Sequence, residues 1–154
     1  MRDTPPPPFD LDAFLPYLLN QAAEASSHAF ATIYRREYGM TRTQWRVMAN
    51  LGKFGAMSAT EICRISHLEK TMVSRAVSQL ERDEHLSRAP SPDDKRREVL
   101  SLTTEGRAVF AELGARGMAF QAELAQMLGA ARMAELEAAL RVLIAQNRAP
   151  EGED

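Results

Sequence analysis

The chain has 154 residues, 45% hydrophobic and 26% charged, an ordinary globular composition that excludes collagen-like and wholly disordered chains. One cysteine excludes an internal disulfide framework and a multi-thiolate metal site, and no apolar run approaches the ~18 residues of a membrane span. The formal net charge of −2 argues by itself against a nucleic-acid binder, yet it divides as −2 over 1–41, +3 over 42–107 and −3 over 108–154. A mildly basic middle between two acidic ends points weakly to a polyanionic partner.

The length suits one domain, or one domain with an added oligomerisation element. The N-terminus, MRDTPPPPFD, lacks the apolar core of a signal peptide, so a cytoplasmic location is expected. Pro5 to Pro8 favour extended polyproline II, so residues 1–10 read as a proline-rich arm. Residues 11–37 read as a helix, with Leu11, Leu15, Leu18, Ala22, Ala25, Ala29 and Ile33 stacked on one face by spacings of three and four. Pro16 is tolerated only near a helix start, which moves the beginning toward residue 15, and Gly39 is the expected C-cap.

Thr41–Gln44 fits a capping box opening a helix through about Lys53, with Trp45, Met48, Ala49 and Leu51 turned inward. Ser58–Glu61 is a second box, starting a very short helix over 59–65. Another helix runs from Glu69 to Asp83, its apolar residues being Met72, Val73, Ala76, Val77 and Leu80. The period then changes. LSRAP (86–90) and REVLSL (97–102) are short extended runs around the turn-forming SPDDKR, which together read as a hairpin. Pro90 and Pro92 keep its first arm from pairing far into the loop. Thr103–Gly106 caps a helix carrying Phe110, Leu113, Gly117, Phe120, Leu124 and Met127, which Gly129 stops. Met133, Leu136, Leu140 and Leu143 continue the rhythm in a last helix to about Asn147, followed by a tail over 148–154.

Two helices joined by a tight turn, then a charged hairpin, make a winged helix-turn-helix, here residues 41–103. Ile62 and Ile65 face the core, Cys63 occupies a small-residue position for close helix approach, and Leu68 plugs the turn. Val73, Val77 and Leu80 form the buried stripe of the second helix. Its other face carries Lys70, Thr71, Ser74, Arg75, Ser78 and Gln79, the groups that hydrogen-bond to base edges and phosphates. About 13 residues at about 1.5 Å each give a rod of about 20 Å, long enough to cross a major groove. Lys95, Arg96 and Arg97 stand at the hairpin tip, where inserted arginine suits a narrow minor groove. Asp94 either orients Arg96 through a charge-assisted bond or anchors the turn.

At these residues the sequence resembles the MarR family of bacterial transcriptional regulators. DDKRREVLSLT (93–103) looks like the family's wing pattern, carried by Asp94, Arg96, Leu102 and Thr103. SATEICRISHLEKTMVSRAVSQLE (58–81) is similar to its helix-turn-helix without a gap, with Thr71, Val73, Ser74 and Arg75 in the recognition helix, and TRTQWRVM (41–48) matches the preceding helix. Two positions depart from the pattern. His67 stands in the turn where glycine is frequent, and Cys63 replaces a small alanine.

The resemblance implies a mainly α fold with a small β-hairpin: a winged helix-turn-helix domain plus a helical dimerisation region over 11–38 and 104–147. It implies a homodimer presenting two recognition helices to a pseudo-palindromic site in double-stranded DNA. It further implies a small, aromatic or anionic effector between the dimerisation helices and the winged domain. On this sequence Tyr17, Asn20, His28, Phe30, Arg42, Trp45, Arg46 and Met48 are the candidates, although Phe30, Trp45 and Met48 also suit the core. The expected function is a ligand-released repressor. Alternatives are a thiol-redox-sensing repressor using Cys63, in a position read as buried, and a helical ligand-binding domain without a DNA role. No Gly-rich phosphate loop, serine nucleophile elbow or paired metal-ligand motif is present, and His28, His67 and His85 are scattered. No enzymatic activity, metal or cofactor is expected.

Overall fold

The structure, a computed structural model, describes residues 8–146. Pro5–Pro7 of the expected arm, Asn147 and the expected 148–154 tail lie outside the described residues. The elements are α1 (Leu15–Tyr38), α2 (Arg42–Phe54), α3 (Ala59–Ser66), α4 (Lys70–Arg82), β1 (Leu86–Pro90), β2 (Glu98–Leu102), α5 (Thr104–Leu128) and α6 (Ala130–Gln146). They form two compact units, one up to Phe110 and the other from Ala111 onward.

In the first unit, α1 starts at Leu15 because Pro16 has no N–H to give and fits only the first turn. Leu11 lies instead in a turn, where its carbonyl accepts from the Phe14 N–H at 3.1 Å. Gly39 closes the helix in the left-handed conformation, φ 62°, its N–H donating to the Arg35 carbonyl. The expected apolar stripe is not the buried one. Ala31 and Tyr34 are buried, while Leu11, Leu15 and Leu18 stand about half exposed within this chain. Periodicity names an apolar face; it does not say what covers that face.

Both capping boxes form. Thr41 and Gln44 exchange bonds at the start of α2, and Ser58 and Glu61 do so at the start of α3. Closing the first box buries Gln44. The two hydrogen bonds that Ser58 donates hold the Glu61 carboxyl below its ordinary pKa. The core of this unit joins Val47, Met48, Leu51, Met57, Ile62, Val73, Ala76, Val77, Leu80, Leu86, Leu100 and Leu102. Each fully buried aliphatic side chain contributes roughly 1.5–3 kcal/mol. Ile65 and Met72, expected inside, are 38% and 47% exposed, because only one narrow stripe of each short helix meets the packed α2–α3–α4 centre. Trp45 is half-buried, and Val47 takes the deeper position.

His67 caps α3 in the left-handed conformation, φ 51°, and the Leu68 N–H reaches back to the Cys63 carbonyl at 3.2 Å. The turn geometry therefore survives without glycine, at the cost of placing a side chain where few residues go. Cys63 is half-buried rather than buried; Ile62, one step round the short helix, holds the interior position.

β1 and β2 pair antiparallel from Leu86 opposite Leu102 to Pro90 opposite Glu98. Pairing ends at Pro90, as its missing N–H dictates. No local pattern signals the bridge from Met57, whose N–H and carbonyl both bond Leu100, at 3.1 and 2.8 Å. Thr103 then caps α5: its hydroxyl accepts from the Gly106 N–H at 2.9 Å and donates to the Glu84 carbonyl at 2.6 Å.

In the second unit, Gly129 separates the end of α5 from α6. Gln121 donates to Glu137 across the two helices at 2.7 Å. Leu113 is buried; Phe120, Leu124, Met133, Leu140 and Leu143 are half-buried. Met127 and Leu136, expected on the packed face, are 73% and 44% exposed, beside exposed Met118, Val142 and Ile144. No residue of α6 is fully buried within this chain. Among the described residues no helix is long and apolar enough to cross a membrane, and no group of three metal-ligating side chains occurs.

Candidate nucleic-acid interface

The recognition helix expected over about 70–82 is α4. Val73, Ala76, Val77 and Leu80 are buried, so the helix offers the opposite side to solvent. Lys70, Thr71, Ser74 and Arg75 are exposed there. Ser78 and Gln79 are half-buried and already engaged. The Ser78 hydroxyl accepts from the Arg88 guanidinium at 3.3 Å, while Gln79 donates to Asp83 at 2.9 Å and accepts from Arg82 at 2.6 Å. Ser74, Arg75 and Ser78 share one face by the spacing of a helical turn, whereas Gln79 lies on the flank with Arg82.

The hairpin loop is held by its backbone. The Ser91 N–H donates to the Arg97 carbonyl at 2.7 Å and the Arg97 N–H to the Asp94 carbonyl at 2.9 Å. The Asp94 carboxylate accepts from the Arg96 backbone N–H at 3.0 Å. Of the two roles open to Asp94, the turn anchor is the one found; the Arg96 side chain is left unheld. Lys95 and Arg96 line an open cleft of about 560 Å³ with Arg88, Ala89, Pro90 and Glu98. Arg97 instead borders a cleft of about 220 Å³ beside Ser58, Ala59 and Thr60 at the start of α3, and its charge reinforces the lowered pKa of Glu61. Among the described residues Lys70, Arg75, Lys95 and Arg96 make no ion pair, which leaves four cations free for an external anion.

Sequence reasoning missed Arg88. Its Nε donates to Glu81 at 2.9 Å, Nη1 to Glu98 at 3.5 Å and Nη2 to Ser78 at 3.3 Å. Bonding to Glu81 raises its already high pKa. The available signal was an arginine on a strand flanked by glutamates seven residues before and ten after; which of them it would meet depends on the β1–β2 register.

The effector candidates are only partly brought together. Phe30 and Trp45 join Tyr34 and Phe110 in an aromatic cluster with ring centroids 5.7–6.3 Å apart. Burial raises the Tyr34 pKa, partly offset by Arg35, Arg42 and Arg46. Met48 is fully buried, so it belongs to the core and not to a ligand surface. Arg42 pairs with Glu24 at 2.8 Å. Arg46 donates to the Ser66 carbonyl at 2.9 Å, fastening α2 to the end of α3, and burial lowers its pKa. Tyr17 is half-buried, and Asn20 and His28 are exposed on α1. Neither cleft at the hairpin touches any of these eight residues.

Comparison with known proteins fits this geometry. Residues 38–97 match the sequence profile of the MarR family. The chain is 29% identical over 87 residues to an HTH-type transcriptional regulator of Bacillus subtilis, covering 56% of this chain and 63% of that protein. It is 28% identical over 92 residues to the homoprotocatechuate degradative operon repressor of Escherichia coli, covering 60% of this chain and 62% of that protein. The chain thus spans less than two thirds of the length of either relative. A solved MarR family transcriptional regulator from Silicibacter pomeroyi superposes with a TM-score of 0.78 at 28% identity, over 89% of this chain and 97% of that one. With its helix-turn-helix, its hairpin wing and its flanking helices all accounted for, the chain is similar in sequence and fold to the MarR family of transcriptional regulators.

Proposed function

We propose that this protein is a dimeric, ligand-released repressor that reads a pseudo-palindromic operator in double-stranded DNA. The observation that carries the reading is the division of α4 into a buried aliphatic side and an exposed side bearing Lys70, Thr71, Ser74 and Arg75. Arg75 would pair with a guanine edge, and Ser74 with a neighbouring base or phosphate. Lys70, Thr71, Lys95 and Arg97 would serve the backbone, with Ser78 and Gln79 at the margin. Arg96 would enter the flanking minor groove from the loop that Asp94 anchors. A repressor of this kind would work in the cytoplasm.

The partner would be a second copy. The helices over 11–38 and 104–147 would form the dimerisation region, supported by exposed Leu15 and Leu18 on α1, Met127 on α5 and Val142 and Ile144 on α6. Apolar exposure on each of these helices is of the kind that marks an interaction surface. Light scattering is expected to give twice the chain mass; a stable monomer overturns this part of the reading.

The effector would be a small aromatic acid. Phe30, Tyr34, Trp45 and Phe110 form an aromatic cluster whose Tyr34 feels the charge of Arg42, and the Escherichia coli relative is the homoprotocatechuate degradative operon repressor. Cys63→Ser is expected to leave the response to such a ligand intact, measured as ligand-dependent loss of a gel shift. A response that disappears with the thiol favours the redox alternative.

Arg96→Ala is expected to weaken operator binding and to reduce the slope of log affinity against log salt by about one unit, since one phosphate-directed cation is lost. An unchanged slope removes the wing from the interface.

A further inference from the structure

We propose that Arg88 is a positioning residue that sets the wing against the recognition helix, so that α4 and the hairpin tip engage a single duplex as one unit. The inference rests on the wing reading above and deepens it. The inner end of the hairpin is fixed by burial of Leu86, Leu100 and Leu102. The outer part has no such anchorage: Arg88 to Pro90 and Pro92 to Glu98 are all exposed. At this point the Arg88 guanidinium joins three partners on two elements, Ser78 and Glu81 on α4 and Glu98 on β2. A planar fork with three directed donors fixes an angle as well as a distance. Ion pairs this exposed add little to global stability, so the effect of the strut falls on geometry.

The position also carries a choice that a phosphate-binding arginine would not show. Both glutamates already pair with the Arg88 charge, which leaves less of it for an approaching polyanion. A direct phosphate contact would be weakened by those acids; a strut requires them.

The test is a double-mutant cycle on binding to a duplex selected from a random pool by the unaltered protein. Arg96→Ala is expected to cost about three- to tenfold in affinity in the unaltered background, and almost nothing in Arg88→Ala, because a wing set loose no longer delivers its tip. Arg88→Ala should leave the melting temperature nearly unchanged, and Arg88→Lys should restore part of the coupling. Glu81→Gln should weaken binding as Arg88→Ala does, although it removes a negative charge. Effects of Arg88→Ala and Arg96→Ala that multiply, or tighter binding by Glu81→Gln, overturn the proposal. No effect of Arg96→Ala in the unaltered background overturns the wing reading itself, and the proposal with it. Should Arg88→Ala fail to fold, the Glu81→Gln and Arg96→Ala pair gives the same cycle.

Discussion

Arg75→Ala is expected to weaken operator binding by about 1–3 kcal/mol, roughly ten- to a hundredfold, and to relax sequence preference at one base pair of each half-site. Arg75 is exposed on the solvent side of α4 and makes no ion pair among the described residues, so nothing within the chain competes for its guanidinium. Its neighbour Val77 and the stripe through Val73 and Leu80 are buried, which fixes the rotation of the helix and hence where Arg75 points. Fluorescence anisotropy against duplexes varied one base at a time measures both quantities. Loss of affinity that is uniform across sequences would make Arg75 a phosphate contact, and unchanged affinity would remove α4 from the groove. The substitution leaves the core alone, so the melting temperature should stay where it was.

Gly106→Ala is expected to act in the opposite way, on stability first and on binding only as a consequence. Gly106 lies in the first turn of α5, and a Cβ there would run into the backbone carbonyl of His85. Neither partner can step aside easily. The His85 carbonyl accepts from the Thr103 N–H at 3.1 Å, and the Gly106 N–H donates to the Thr103 hydroxyl at 2.9 Å. Alanine would ordinarily favour a helix by up to about 1 kcal/mol over glycine. Here overpacking against backbone should reverse the sign and cost about 2–3 kcal/mol net. For a chain of this size that lowers the melting temperature by roughly 5–10 °C. Thermal denaturation followed by circular dichroism reads it directly; a neutral or raised midpoint would mean that the start of α5 can move off His85 freely.

The parts of this fold that were legible in the sequence are those specified by local chemistry. Thr41 with Gln44 and Ser58 with Glu61 mark two helix starts because each pair satisfies the other's orphan N–H groups within four residues. Pro16, Gly39 and Gly129 bound helices for reasons of backbone alone. The α4 face was legible for the same reason, since a 3.6-residue period separates Val73, Val77 and Leu80 from Ser74 and Arg75 without reference to anything distant. What was not legible depends on other segments. The Met57–Leu100 bridge joins residues 43 positions apart with no side-chain signature. Arg88 finds Glu81 and Glu98 only once the strand register exists. Ile65, Met72 and Leu15 read as interior because they are apolar, but each faces outward in this chain. Asp94 could have gripped a guanidinium or a backbone N–H, and the tightness of the turn decided for the N–H.

The two-way bond between Met57 and Leu100 has a mechanical consequence. An isolated two-stranded hairpin is marginal in water, but this one leans on a third length of chain that leads within one residue into the cap of α3. The hairpin thus behaves as a lever pinned near its inner end. The pin ties the inner part of the hairpin to the start of α3, while Arg88 ties β1 to α4, so the span carrying Lys95 and Arg96 springs from two points of attachment. A lever held at two places keeps a set reach from the reading helix, so the distance between its central and flanking contacts is written into the fold before any duplex arrives.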